Sequence, residues 1–403
     1  MRNLLLTSLL LLASAAQADD WPQWRGPNRD GRSREKGLLR KWPGTGPRKL
    51  WSVRGLGEGF STVSVVGKVI FTTGMIDGQG RLFVISTAGK MLGKSTYGAE
   101  TKGKGYPGPR STPTVVDGRV FVMSGEGVLY CFEAKSGRKL WRKHAFKDLG
   151  GRQIGWSVAE SVLVDGDRVI CTPGGTNATV AALDVKNGRT IWRTNTGCKS
   201  AYCSPIVVDH NGKRIILTMV EDGAIGIDAK TGRELWLHPH KNKYAVHAAT
   251  PVYHKGKVII SSGYKYGTEC LEMNSSGTRV RKLWHAKELD NQHGGIIRVG
   301  DAVVGTNDRG LVCLDIKTGR VNWRERGMGK GSITYADGLL YMYGEKTREV
   351  GMAEVSAKKL GTISGKFRVT EGTGRYYWSH PVVANGVLYI RHGDTLIAYK
   401  VGQ

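Results

Sequence analysis

The chain has 403 residues, 57 of them glycine and 12 proline; glycine runs at about twice its usual share, yet the two together stay below the level of low-complexity disordered chains. Forty per cent of the residues are apolar and 11 are tryptophan, enough for a large core, which excludes a collagen and a free tail. Sixty Lys and Arg against 34 Asp and Glu leave +26, a statement about surfaces and partners rather than about fold.

At the start, Arg2 precedes an apolar run over 4–16, and Ala16-Gln17-Ala18 has the small-x-small form of a cleavage site. Residues 1–18 therefore read as a secretory signal peptide cut before Asp19. The run is short for a membrane span, no cysteine follows it for lipid attachment, and no later segment resembles a transmembrane segment. The expected location is periplasmic or secreted. Residues 19–47, with Trp21, Trp24 and Trp42, stand outside the repeats that follow and are expected to pack across them as an arm.

From residue 48 to 403 the chain repeats itself. Phe132-Glu133-Ala134-Lys135-Ser136-Gly137-Arg138-Lys139-Leu140-Trp141 recurs as Ile227-Asp228-Ala229-Lys230-Thr231-Gly232-Arg233-Glu234-Leu235-Trp236, again over 183–192 and 314–323, with a variant ending at Trp284. Each copy follows two β-rich runs joined at a glycine: Gly67, Gly118, Gly166, Gly212, Gly256, Gly300, Gly338 and Gly386. Their mean spacing of about 46 residues, with four short runs per period, is that of a β-propeller blade. Glycine suits these hairpin turns because they place a residue at positive φ.

The repeats differ in completeness. Gly93 and Gly361 stand at the position of Trp141 in two of them, and the last repeat stops after three runs. Its missing outer strand is offered by Pro47-Arg48-Lys49-Leu50-Trp51, which copies the final phrase. The expectation is an all-β, eight-bladed propeller closed by its N-terminal strand, which would leave no open sheet edge in the ring; seven blades is the alternative.

In such a ring the connection entering each innermost strand lies at one mouth of the central channel. Aligning the repeats on their turn glycines places mostly small residues there. The exceptions are Arg110, Glu160, Tyr202, Lys330, Trp378 and His380, with Trp156, His247 and His293 nearby. These nine are the ligand-binding candidates, and no catalytic residue is assigned. Three readings remain open: a hydrogen-bonded plug of the channel, a ligand or partner site, and acid–base chemistry by a histidine and a glutamate.

Cys131, Cys270 and Cys313 share a repeat position that Ala182, Gly226 and Ala398 fill elsewhere, which reads as a slot for a small buried residue. Cys198 and Cys203 are the candidate disulfide, and no zinc-type spacing appears. The basic residues recur in the turns and spread round a solvated rim. The exception is 94–110, where Lys102, Lys104 and Arg110 stand among glycines and prolines; an anionic glycan or surface is the expected contact there. Nucleic acid is not expected, since no nucleic-acid motif is present.

The Asp228, Thr231-Gly232 and Trp236 spacing resembles the tryptophan-docking repeat of the pyrroloquinoline quinone (PQQ) propellers. The resemblance implies that Trp51, Trp141, Trp192, Trp236, Trp284 and Trp323 dock neighbouring blades. It also implies two classes of function. PQQ-dependent alcohol dehydrogenases add calcium, a catalytic Asp and an adjacent Cys-Cys disulfide; no two cysteines are adjacent here, and no Cys-x-x-Cys-His haem site exists. Assembly lipoproteins of the BamB type are non-enzymatic scaffolds whose lipid-bearing Cys is absent here. The phrase over 21–31 is similar to secreted PQQ-like repeat proteins of planctomycete-type bacteria. The expected function is a binding or scaffold module of the cell envelope, with an envelope protein or an anionic glycan or surface as partner; the alternatives are a PQQ- and calcium-dependent dehydrogenase and a polysaccharide-processing enzyme.

Overall fold

The computed structural model describes residues 20–403. These form eight small sheets arranged as the blades of a propeller. Blades 1 to 6 span 64–99, 114–144, 163–194, 206–239, 252–286 and 296–325; blade 7 spans 331–368 and blade 8 begins at 382. Within each blade the strands run antiparallel from the channel outwards. Blade 8 is completed from the other end of the chain, as the incomplete last repeat predicts: Lys49–Val53 pairs antiparallel with Thr395–Lys400.

The eight turn glycines all have positive φ, from 54° at Gly67 to 80° at Gly338. In blade 2 Asp117 precedes with φ 47° and Gly118 follows with φ 70°, the two positive angles that a tight twisted hairpin requires.

The docking phrase has a physical reading at every position. Asp228 Oδ1 accepts hydrogen bonds from Lys230 N, Thr231 N and Thr231 Oγ1 at 2.9–3.1 Å, building the turn that presents Gly232. That glycine lies under the preceding blade's tryptophan: a Cβ on Gly232 would stand 2.4 Å from Trp192, and one on Gly188 would stand 2.8 Å from Trp141. Trp51, Trp141, Trp284 and Trp323 also donate Nε1–H to carbonyls of the next blade, at Thr87, Val185, Ile316 and Ser356. A register shift just before each of these tryptophans extrudes its neighbour, as between Lys139 and Trp141, and such bulges re-aim a side chain. Trp192 and Trp236 are buried without an Nε1 partner.

The shared cysteine position is explained by the same ring. Cys131, Cys270 and Cys313 pair across the sheet with Trp141, Trp284 and Trp323, and all three are fully buried. Gly226 does so with Trp236, whose ring leaves 2.3 Å for a Cβ. Only small side chains fit there.

Two expectations need correction. Blade 7 does not lack a docking ring: its outer strand is Lys366–Arg368, and Phe367 covers Gly46, where a Cβ would stand 2.4 Å away. Gly361 belongs to the connection before that strand. Cys198 and Cys203 are free thiols. The Cys198 thiol meets Asp222 at 3.2 Å, whereas Cys203 faces the Ser204 and Ala249 carbonyls. They belong to separate apolar clusters, Cys198 between blades 3 and 4 and Cys203 between blades 4 and 5.

The arm does more than pack across the ring; it enters the channel. Asp20 accepts a hydrogen bond from Gly67 N at the turn face. Trp21 then bridges Val65 of blade 1, and Val115 N of blade 2 donates to Pro22 O. Trp24, at the far end, donates Nε1–H to Thr250 Oγ1. The return leg gives Arg32–Ser33 as a short parallel strand beside Tyr335–Ala336 of blade 7, and Glu35 then accepts from Asn385 N and Gly386 N back at the turn face. Two buried arginines anchor the loop at the axis: Arg25 to the carbonyl of Ile296 in the innermost strand of blade 6, and Arg29 to those of Ser161 and Val162 just before the innermost strand of blade 3. Burial lowers both guanidinium groups to a pKa of about 10, so both stay charged at neutral pH.

Candidate functional site

With the arm in the channel, the mouth opposite the turns becomes a floored, open-topped cup of about 400 Å³. Trp24 forms its floor, edge-on to His380 with ring centroids 4.6 Å apart. Phe60, Tyr106 and Trp378 form one wall, and Trp156, Tyr202 and Tyr264 another. Trp378 lies 5.0 Å from Phe60 and 5.1 Å from Tyr106, and is stacked on Tyr376 at 4.5 Å. Arg110, Gln292, His293 and Glu345 supply the polar lining.

Most of the polar groups already hold partners. Arg110 donates to the Tyr106 and Gly108 carbonyls at 2.7 and 3.1 Å while lying over Phe60. Lys330 reaches Gln292 Oε1, Asp308 and Glu345. Glu345 also faces His293 Nε2 at 3.3 Å. Burial alone would raise the Glu345 carboxyl, but the His293 contact, Lys330 and the Trp378 indole N–H together hold it down at about 2, so it is a carboxylate at any ordinary pH.

Six of the nine sequence candidates meet in this cup: Arg110, Trp156, Tyr202, His293, Trp378 and His380. Lys330 stands behind its wall, holding Gln292 and Glu345. The other two point elsewhere. Glu160 is buried under the floor, with Oε2 accepting from Thr172 N at 2.9 Å and Oε1 unpartnered; burial pushes its pKa up to about 7 despite the charge of Arg29. His247 is turned into the body of the ring, where Nδ1 meets Ser262 Oγ at 2.6 Å and Nε2 the Glu221 carbonyl. It adjoins a buried network in which Glu269 binds His240 and His238 at 2.9 and 3.1 Å.

His380 is an anchor rather than a proton shuttle. Its Nε2–H donates to the His293 carbonyl at 2.8 Å, and burial with the nearby Arg25 charge lowers its pKa to about 3. It is neutral at physiological pH with one nitrogen committed, and the glutamate proposed as its acid–base partner is not in the cup.

Six contributors were missed: Phe60 and Gln292, which stand in the aligned connections, and four from elsewhere. Glu345 and Tyr264 sit in loops between the second and third strands of their blades, which open on the same face as the aligned connections. Tyr106 comes from the long connection between blades 1 and 2, and Trp24 from the arm. A second alignment, of the loops between second and third strands, exposes Glu345 and Tyr264; the arm residue carries no repeat signal.

Residues 42–325 match the family model described as outer membrane protein assembly factor BamB. The chain belongs to this PQQ-like propeller family. Among solved structures, BamB from Moraxella catarrhalis aligns with a TM-score of 0.65 at 16% identity, over 88% of this chain and 99% of that one. Quinohemoprotein alcohol dehydrogenase from Comamonas testosteroni aligns with a TM-score of 0.63 at 11% identity, over 96% of this chain and 81% of that one. The computationally designed Ika8 protein gives 0.62 at 13% identity, over 88% and 100%. At these identities the likeness is one of fold. No curated protein sequence matches significantly.

The quinoprotein likeness raises PQQ and calcium, and the donor set fits neither. Calcium takes six to eight oxygen ligands. The cup holds one carboxylate, already paired with His293 and Lys330, and among the described residues no group of three or more His, Cys, Asp or Glu is arranged to hold a metal ion. A polycarboxylated quinone needs several free cations, whereas Lys330 is spent on Asp308, Glu345 and Gln292, which leaves Arg110, itself held to two wall carbonyls.

Proposed function

We propose that this chain is an exported propeller that works as a binding module of the cell envelope, with the aromatic cup as its ligand site, and that it is not an alcohol dehydrogenase. The observation carrying this reading is the cup itself: a floored, aromatic-walled cavity within the usual 300–1,000 Å³ of ligand sites, whose titratable groups are paired or buried rather than poised. The description of the matching family model as an assembly factor supports an envelope role. So does the signal-like segment, which lies outside the described residues. No helix among the described residues is long and apolar enough to cross a membrane.

Lys102 and Lys104 stand exposed beside the cup wall and support an anionic envelope surface as neighbour, while Arg110 from the same segment is drawn into the wall. The test is to add PQQ and calcium to purified protein, follow quinone uptake, and assay dye-linked alcohol oxidation. The expected result is no stoichiometric uptake and no oxidation; uptake with turnover would overturn the reading. Export predicts a mature chain that begins at Asp19, read by N-terminal sequencing of the protein recovered from the envelope fraction.

A further inference from the structure

The binding reading leaves the ligand class open, and the pairing of charges in the cup narrows it. We propose that the cup binds a neutral saccharide, taken as a chain end or short oligosaccharide. This rests on the cup being a ligand site and goes one step beyond it.

The first argument is shape and surface. A pyranose has an apolar C–H face and a rim of hydroxyls, so it is recognised by a flat ring beneath it and mixed donors and acceptors around it. Trp378 is the flat ring, held in place by Tyr376 at 4.5 Å and 25° on one side and by Phe60 and Tyr106 at its edges. Trp156 and Tyr202 supply a second aromatic surface, with centroids 6.1 Å apart and Tyr202 Oη accepting from Trp156 N. Rings held in this way lose little further conformational freedom when a ligand arrives.

The second argument is charge. A strongly anionic ligand needs several cations turned toward it, but Lys330 is spent on Gln292, Glu345 and Asp308, and Arg110 is turned onto the Tyr106 and Gly108 carbonyls of the wall. A cationic ligand needs a free carboxylate, but Glu345 is held by His293 and Lys330. Either ion would be desolvated with little compensation. A hydroxyl both donates and accepts, so it can enter a network that is already paired. The polar lining that would meet such hydroxyls, Gln292, His293 and Glu345, stands beside the ring of Trp378, with a His293–Trp378 centroid distance of 5.2 Å.

The third argument is topology. Trp24 and the arm close the floor, so a polymer cannot thread the channel, and the site takes an end.

The experiment is a titration of the full mature chain, read by tryptophan fluorescence and calorimetry. One panel holds neutral di- and trisaccharides (cellobiose, N,N′-diacetylchitobiose, maltose, xylotriose, mannobiose); the other holds charged ligands (digalacturonate, PQQ, choline). At least one neutral sugar is expected to bind, with Trp378→Ala weakening it by about tenfold or more and Trp284→Phe, at a blade junction, leaving it unchanged. Gln292→Ala keeps the aromatic wall and is a second probe should Trp378→Ala fold poorly. If only a charged ligand binds, and Trp378→Ala abolishes it, the saccharide assignment is wrong and the binding reading stands. If neither panel binds up to about 10 mM, a concentration that would reveal even millimolar affinity, both fall.

Discussion

Glu160 offers the sharpest test of how the arm and the ring fit together. Its carboxyl is almost wholly buried, receives one hydrogen bond from Thr172 N, and has one oxygen with no partner. Burial raises its pKa from the ordinary 4.5 to about 7, against the opposing pull of Arg29. Between those two values the folded protein keeps a proton that the unfolded chain has released, so stability falls as pH rises through that window and levels off above it. At about 1.4 kcal/mol for each unit, the loss attributable to Glu160 is about 3 kcal/mol. Glu160→Gln keeps the acceptor for Thr172 and removes the titration. Urea unfolding of both proteins at about pH 4 and about pH 8 isolates the effect, because every other group's contribution cancels in the difference of differences. The variant is expected to match wild type at the lower pH and to exceed it by about 3 kcal/mol at the higher. Equal stabilities at both would mean that the carboxyl is solvated, and that the arm does not seal the channel above it.

Two further outcomes check the ring. Gly188→Ala puts a Cβ 2.8 Å from Trp141 on a residue with φ +72° and is expected to lower stability by about 2–3 kcal/mol. Gly197→Ala, at φ +76° with open space around it, should lose only about 1 kcal/mol; equal losses would refute the docking role of Trp141. Alkylation of the denatured, unreduced protein should label all six cysteines, and four adducts by mass would restore the Cys198–Cys203 bridge.

The fold was legible because every blade repeats the same physical solution. A turn needing positive φ leaves a glycine, a ring packed on the next blade leaves a tryptophan, and the strand beneath that ring leaves a small residue. These constraints are local, so they recur at a fixed period and can be read from one chain. Blade 7 escaped because Phe367 does the work of the tryptophan from a shifted position, and a different ring at a different spacing breaks the pattern while meeting the same need. The cup was half legible for a related reason. Arg110, Tyr202, Trp378 and His380 occupy connections that the repeat aligns, but Glu160 and His247 show that a shared position does not fix where a long side chain points. Trp24 meets Thr250 across 226 residues, and no periodicity encodes such a contact.

The arm also changes what the excess of positive charge means. Each inner strand presents backbone groups to the channel that lack a strand on that side, and buried groups of this kind must find partners. Water would serve in an open channel. Here the arm serves instead: its own backbone pairs with blades 1, 2 and 7, while Arg25 and Arg29 reach carbonyls at blades 6 and 3. Arginine suits this because one guanidinium carries five donors in a fixed fork and stays charged when buried. Some of the basic residues are thus structural cross-braces at the axis, others are rim charge copied with the docking turn, and Arg110 braces the cup wall. Lys102 and Lys104 do none of these things. They stand exposed at the edge of the cup, where the proposed anionic surface would meet them without displacing the proposed neutral ligand inside.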